Sequence, residues 1–247
     1  MKTLLVTGGS RGIGAAVSKI AGRTGYRVAV GYAANPEAAQ TVVDQIASAG
    51  GEAFAVKADV ASEADIVAMF EAVDKRFGPL DALVNSAGVV DFKARLDEMS
   101  AARIERMLRI NVIGSMLCAR EAVKRMSAKH GGKGGAIVNV SSMASIRGAA
   151  GEFIDYAASK GAIDAFTIGL ARELADEGVR VNAVRPGLID TEIHASGGQP
   201  GRPAAMRQLI PMQRVGQADE VAHAILWLLS DEASYTTGAL LDVSGGR

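Results

Sequence analysis

Short apolar, β-branched runs alternate along the chain with longer stretches in which apolar positions recur at the helical period. This pattern predicts βαβ units and a parallel sheet. Strands are predicted at Thr3–Thr7, Arg27–Tyr32, Glu52–Lys57, Ala82–Asn85, Ala136–Ser141, Arg180–Arg185 and Ala239–Val243. Helices are predicted over Ile13–Thr24, Glu37–Ala49, Glu63–Phe77, Ala101–Lys129, Asp155–Glu177 and Ala218–Ser230. Gly25, Gly50-Gly51, Gly78, Gly131-Gly132 and Gly178 follow the first five, where left-handed C-terminal caps belong. The strands are mostly apolar on successive residues, so helices should cover both faces of the sheet. The expectation is α/β: a single Rossmann-type, doubly wound sandwich over residues 1–247 with a seven-stranded parallel sheet. Residues 190–214 are the least regular stretch, with three glycines and three prolines. Ligands of such folds lie beyond the carboxyl ends of the strands, so this segment is expected to be a substrate lid.

Composition then narrows the function. Lys plus Arg and Asp plus Glu number 27 each, so no net field draws the chain to nucleic acid or an anionic membrane, and neither is an expected partner. Hydrophobic residues at 49% and charged residues at 22% suit a folded globular chain. The longest stretch without a charged residue, Gly134–Ile146, is too short and polar to span a bilayer. The N-terminus lacks the apolar region of a signal peptide, so the expected location is the cytoplasm. Cys118, the one cysteine, sits among apolar residues and is expected to be buried. His130, His194 and His223 show no metal-ligand spacing, and no metal is expected. Only His194, in the lid segment, is placed to meet a substrate. Trp227 lies in an apolar run and is assigned to the core or to a subunit contact.

Between the first strand and first helix stands Thr7-Gly8-Gly9-Ser10-Arg11-Gly12-Ile13-Gly14. Glycines in such a turn let backbone N–H groups approach a pyrophosphate at the positive end of the helix. Gly8, Ser10, Arg11, Gly12, Ile13 and Gly14 are therefore cofactor-binding candidates, although three residues separate Gly8 from Gly12, unlike G-x-G-x-x-G. The second strand ends at Tyr32-Ala33-Ala34-Asn35 without the acid that usually holds the adenosine ribose of NAD. With no carboxylate to repel a 2′-phosphate and Arg11 to attract one, NADP(H) is favoured and NAD(H) remains possible, with Tyr32 and Asn35 in the site.

In Tyr156-Ala157-Ala158-Ser159-Lys160 a phenol and an ammonium share one helical face, a turn apart. A free phenol has a pKa of about 10; a nearby cation favours its ionised form, so Tyr156 can serve as general acid or base. Upstream, Asn139-Val140-Ser141-Ser142 places hydroxyls at the carboxyl edge of the sheet.

Thr7-Gly8-x-x-x-Gly12-x-Gly14, Asp59-Val60, Asn85-Ser86-Ala87-Gly88, Asn111, Ser142, Tyr156-x-x-x-Lys160 and Pro186-Gly187 follow one another in a single order. In these marks the chain resembles the short-chain dehydrogenase/reductase family, in its short single-domain branch, over essentially its whole length. Within the family it is similar to both 3-oxoacyl-carrier-protein reductases and sugar or glucose dehydrogenases. The resemblance implies an oxidoreductase interconverting a ketone and a secondary alcohol. It makes Tyr156 the general acid/base and Ser142 the hydrogen-bond donor to the substrate oxygen, with Ser141 as rival. It makes Lys160 the residue that holds the nicotinamide ribose and lowers the Tyr156 pKa, and Asn111 the holder of a water linking Lys160 to solvent. Asp59 and Val60 would meet the adenine, and Asn85, Ala87 and Gly88 would support the adenosine ribose. Pro186, Gly187, Ile189 and Thr191 would orient the nicotinamide. A homotetramer and a small-molecule carbonyl or alcohol substrate are implied on the same ground. The alternatives are a noncatalytic NADP-sensing regulator, though the tyrosine and lysine are both present, or a sugar epimerase or dehydratase, though no C-terminal substrate domain is present.

Overall fold

The computed structural model describes all 247 residues, Met1–Arg247. The strands are β1 (Lys2–Thr7), β2 (Tyr26–Tyr32), β3 (Glu52–Lys57), β4 (Ala82–Asn85), β5 (Gly135–Val140), β6 (Val179–Pro186), β7 (Ile189–Asp190), β8 (Gly216–Gln217) and β9 (Leu240–Val243). Seven form a parallel sheet in the order β3-β2-β1-β4-β5-β6-β9. Strand order reverses between β1 and β4, which opens a crevice at the carboxyl edge. The helices are α1 (Gly12–Arg23), α2 (Pro36–Ser48), α3 (Glu63–Phe77), α4 (Ala101–Leu108), α5 (Ser115–Met126), α6 (Ala144–Arg147), α7 (Ile154–Glu173), α8 (Ile193–Ser196), α9 (Arg202–Ala205) and α10 (Ala218–Leu229).

The successive apolar residues of each strand divide between two cores. Leu4, Val6, Val28, Val30, Val84 and Val138 pack with α1, α2 and α10 on one face. Leu5, Ala29, Leu83 and Ile137 pack with α3, α5 and the end of α7 on the other. Burying a side chain of this kind stabilises the fold by roughly 1.5–3 kcal/mol, and this two-sided burial is why the strands do not alternate. Gly25, Gly50, Gly78, Gly131 and Gly178 all have positive φ, as expected of left-handed caps.

Two helix expectations need correction. The helix expected over Ala101–Lys129 is α4 and α5 joined by a π-helical stretch at Arg109–Gly114, with a short 3₁₀ turn at Ala128–His130. The helix expected to reach Glu177 ends at Glu173. The irregular segment 190–214 holds only the short α8 and α9 and a 3₁₀ turn, and β7 at its root pairs with β8 in a separate two-stranded sheet. Of the two assignments for Trp227, core is excluded by its 41% exposure, and the subunit contact stays open. Cys118 is fully buried, and burial pushes its thiol up to about 12, which leaves it no role as a nucleophile.

Candidate active site

The β1-to-α1 turn is fixed by close packing of backbone on backbone. Gly8 has φ +64°, and a Cβ there would lie 2.9 Å from the Ala87 Cα. A Cβ on Gly14 would lie 2.2 Å from the Gly8 carbonyl oxygen, so any side chain at that position would displace the turn. Thr7 Oγ1 ties this turn to the one after β4 by accepting from the Ser86 and Ala87 amides, both at 3.2 Å. Asn35, Ser62 and Ser100 cap α2, α3 and α4 with side-chain oxygens, but nothing caps α1 and no acid stands in its first turn. Its leading amides therefore have no capping side chain, and the acid that comes near this positive end is Glu192, from beyond β7.

Beyond β5, Ser141 and Ser142 separate in function. Ser141 is buried and donates to the Lys160 carbonyl at 3.2 Å, so it is committed to holding α7. Ser142 is half-buried; its Oγ accepts from the Ala144 amide at 3.1 Å, and it lines the same cleft as the Tyr156 phenol, on which it exerts a lowering influence. Lys160 is 6% exposed, donates from Nζ to the Val140 carbonyl at 2.8 Å, and has Nζ 5.7 Å from the centre of the Tyr156 ring. Burial lowers the Lys160 ammonium to about 8, against an opposing pull from Asp164. The expected lowering of the phenol is not what the protein alone shows: burial raises Tyr156, and Ser142 offsets this only in part. The start of α7 is clamped by Asp155, which takes a bidentate pair from Arg103 at 2.8 and 3.2 Å and accepts from the Tyr156 amide at 2.9 Å.

A single cleft of about 850 Å³ runs along the carboxyl edge of the sheet. It gathers Gly8, Ser10, Arg11, Gly12, Ile13, Tyr32, Asn35, Asp59, Val60, Ala87 and Gly88. It also gathers Ser142, Tyr156, Lys160, Pro186, Gly187, Ile189 and Thr191. Three residues singled out in the sequence do not line it. Gly14 packs beneath the turn. Asn85 is buried and donates to the Ser115 carbonyl and to Asn139 Oδ1 at 3.1 and 3.0 Å. Asn111, in the π-helical stretch, accepts from the Val89 amide at 2.8 Å and donates to the Val89 carbonyl and to Ser159 Oγ at 3.0 and 3.1 Å. It thus fastens the loop after β4 to the residue before Lys160. Asn35 lines the cleft, but its Oδ1 is spent on capping α2 through the Ala38 amide at 2.9 Å.

Sequence reasoning missed Arg147, Glu152, Phe153, Arg202 and Arg247, which line the other end of the same cleft. Only the fold brings them together. His194 lines it as well, hydrogen-bonded to the Ile189 carbonyl at 2.9 Å and lowered by burial. No group of three or more His, Cys, Asp or Glu side chains is arranged to hold a metal ion, and no helix is long and apolar enough to cross a membrane.

A family model described as enoyl-(acyl carrier protein) reductase matches residues 8–247. "Uncharacterized oxidoreductase YgfF" of Escherichia coli (strain K12) is 57% identical over 247 residues, covering 100% of both chains. "3beta-hydroxysteroid dehydrogenase 1" of Eggerthella lenta is 40% identical over 246 residues, covering 99% of this chain and 93% of the other. Among solved structures, a mutant Serratia marcescens short-chain dehydrogenase/reductase superposes with a TM-score of 0.91 at 35% identity, covering 99% of this chain and 97% of that one. A family match over nearly the whole chain, with full-length relatives at these identities, leaves one conclusion: the chain belongs to the short-chain dehydrogenase/reductase family and is an oxidoreductase.

Proposed function

We propose that the chain interconverts a ketone and a secondary alcohol, with NADP(H) as hydride carrier and Tyr156 as general acid/base. The observation that carries this is the gathering of Ser142, Tyr156 and Lys160 in the cleft that also holds the glycine turn, with Lys160 Nζ 5.7 Å from the centre of the Tyr156 ring. The residues suit a dinucleotide: the uncapped first turn of α1 offers amides to a pyrophosphate, and the glycine packing leaves no Cβ in the way. Tyr32-Ala33-Ala34-Asn35 presents no carboxylate to a 2′-phosphate, and the exposed Arg11 forms no ion pair, which supports NADP(H) over NAD(H). When bound, the reduced dinucleotide supplies the hydride.

The chain's own residues account for the proton. Burial keeps the Tyr156 phenol protonated at neutral pH, so it is set to donate to a carbonyl oxygen. Ser142, held by the Ala144 amide, donates to the same oxygen as negative charge builds on it. Lys160 spends one of its three donors on Val140, leaving two for ribose hydroxyls. Its charge favours the phenolate that remains after proton transfer. Asn111 acts as a positioning residue, and the 190–214 segment closes over substrate. Exposed Leu108, Ile113 and Met116 on one surface, and Trp227 and Tyr235 on another, support a homotetramer.

A panel of acyl thioesters, aldoses and cyclic ketones, followed by NADPH absorbance, tests the reading. Tyr156→Phe should abolish turnover and leave NADPH affinity near that of the wild type. Retained turnover in that variant would remove Tyr156 from its role.

A further inference from the structure

Three arginines from three separate parts of the chain line the cleft, and Arg247 lies within the fields of the other two. Arg147 ends α6, Arg202 begins α9 in the proposed lid, and Arg247 ends the tail that follows β9. Arg202 lies 5.1 Å over the Phe153 ring and pairs with Glu152 at 2.6 Å. The other oxygen of Glu152 accepts from Lys93 at 2.9 Å, so this carboxylate is fully used. Arg147 and Arg247 form no ion pair, and Arg247 Nε is buried without any hydrogen-bond partner. Burial and the fields of Arg147 and Arg202 depress the Arg247 guanidinium, and only Glu152 opposes them. The terminal carboxylate of Arg247 adds one negative charge but pairs with none of the three guanidiniums, and the other charged residues of the cleft do not relieve them. Arg11 and Asp59 lie at the dinucleotide end, Lys160 adds a cation, and Glu192 approaches Gly12. His194 is shifted toward its neutral form.

The tail is held firmly enough to make Arg247 part of the wall. The Met212 amide donates to the Gly245 carbonyl at 3.1 Å. A Cβ on Gly245 would come within 2.9 Å of Ile210, and one on Gly246 within 3.2 Å of Pro211. Residues of the 190–214 segment therefore sit directly on the tail. Arg147 is exposed while Arg202 and Arg247 are partly buried, and like charges so placed, one with an orphaned donor, are costly unless an anion completes them.

We infer that this is an anion subsite, and that the substrate carries a carboxylate or phosphate seated between Arg147, Arg202 and Arg247 while its carbonyl lies at Ser142 and Tyr156. The inference rests on the ketone-reduction reading for the second half of that statement, but the subsite itself does not depend on turnover. An anion held there would also bind lid, tail and α6 to one another, so the lid would close on charged substrate. Guanidinium forks suit carboxylate and phosphate alike.

Calorimetric titration with hexanoate, inorganic phosphate and neutral hexanamide, with and without saturating NADP⁺, tests the subsite without turnover. The anions should bind at least tenfold more tightly than the amide, and added NaCl should erase the difference. Arg147→Gln/Arg247→Gln should lose the preference as well, and the salt series on the wild type stands even if that variant does not fold. Whichever of carboxylate and phosphate binds more tightly identifies the group the substrate carries. In turnover, 5-oxohexanoate should exceed its methyl ester at least tenfold in kcat/KM, with the Arg variant losing this through KM rather than kcat. Equal binding of hexanoate, phosphate and hexanamide to the wild type overturns the subsite. Anion preference without reduction of any ketone keeps the subsite and overturns the hydride-transfer reading instead.

Discussion

Lys160→Met separates what the ammonium does by charge from what it does by packing. At the 5.7 Å between Nζ and the centre of the Tyr156 ring, a unit charge stabilises a phenolate by roughly 3 kcal/mol at an effective dielectric constant of about 20. That corresponds to about two pKa units, or roughly a hundredfold in the population of phenolate. The base form is needed for alcohol oxidation, so kcat/KM for oxidation at pH 7 should fall roughly a hundredfold in the variant. The sign of the pH dependence follows from the lysine itself. Its ammonium, lowered to about 8, is charged below that pH and neutral above it. The gap between wild type and variant should therefore be widest near neutrality and close as pH rises through about 8. The structural cost is smaller: the Val140 carbonyl loses its 2.8 Å donor, worth about 1–3 kcal/mol, while the burial penalty on the ammonium disappears. At about 2–4 °C per kcal/mol for a chain of this size, the thermal midpoint should move by only a few degrees. A gap below about threefold at pH 7, or one that stays constant from pH 6 to 10, would refute the field argument. A constant gap would make Lys160 a residue that acts by position alone.

Arg11→Ala should weaken NADPH binding while barely changing NADH binding, as read by fluorescence titration; equal affinities of the wild type for the two would overturn the cofactor preference. Asp155→Ala strips the pair from Arg103 at a position where the Asp155 side chain is 1% exposed. It should cost about 3 kcal/mol and lower the melting midpoint by roughly 6–12 °C, with turnover falling further because Tyr156 loses its amide anchor. Sedimentation should give a tetramer, and a charged residue in place of Met116 should shift it to smaller species; a wild-type monomer would contradict the proposed assembly.

The sheet was legible because its strands are buried on both faces, which writes an unbroken apolar run into each one. Tyr156 and Lys160 were legible because four residues along a helix return to the same face. The π-helical stretch at Arg109–Gly114 was not, since its apolar spacing still fits a continuous helix and only the grip of Asn111 on Val89 and Ser159 reveals it. Trp227 could not be divided between core and subunit contact because α10 is apolar on more than the face it buries. Ser141 and Ser142 look equivalent in the sequence and differ in that the Ser141 hydroxyl is spent on the Lys160 carbonyl, whereas Ser142 Oγ accepts from the Ala144 amide and keeps its proton to donate. The three arginines were invisible for a simpler reason. They lie far apart in the chain, and charge runs report only local neighbours.

The central claim is that the Tyr156 phenol and the hydride carrier share one pocket. A crystal structure of the chain soaked with NADP⁺ tests it most directly. The pyrophosphate should lie on the first turn of α1 and the nicotinamide ring between Tyr156 and the Pro186–Ile189 segment, with the ribose hydroxyls on Lys160. A ring lying away from Tyr156, with no room for a carbonyl between them, would contradict it.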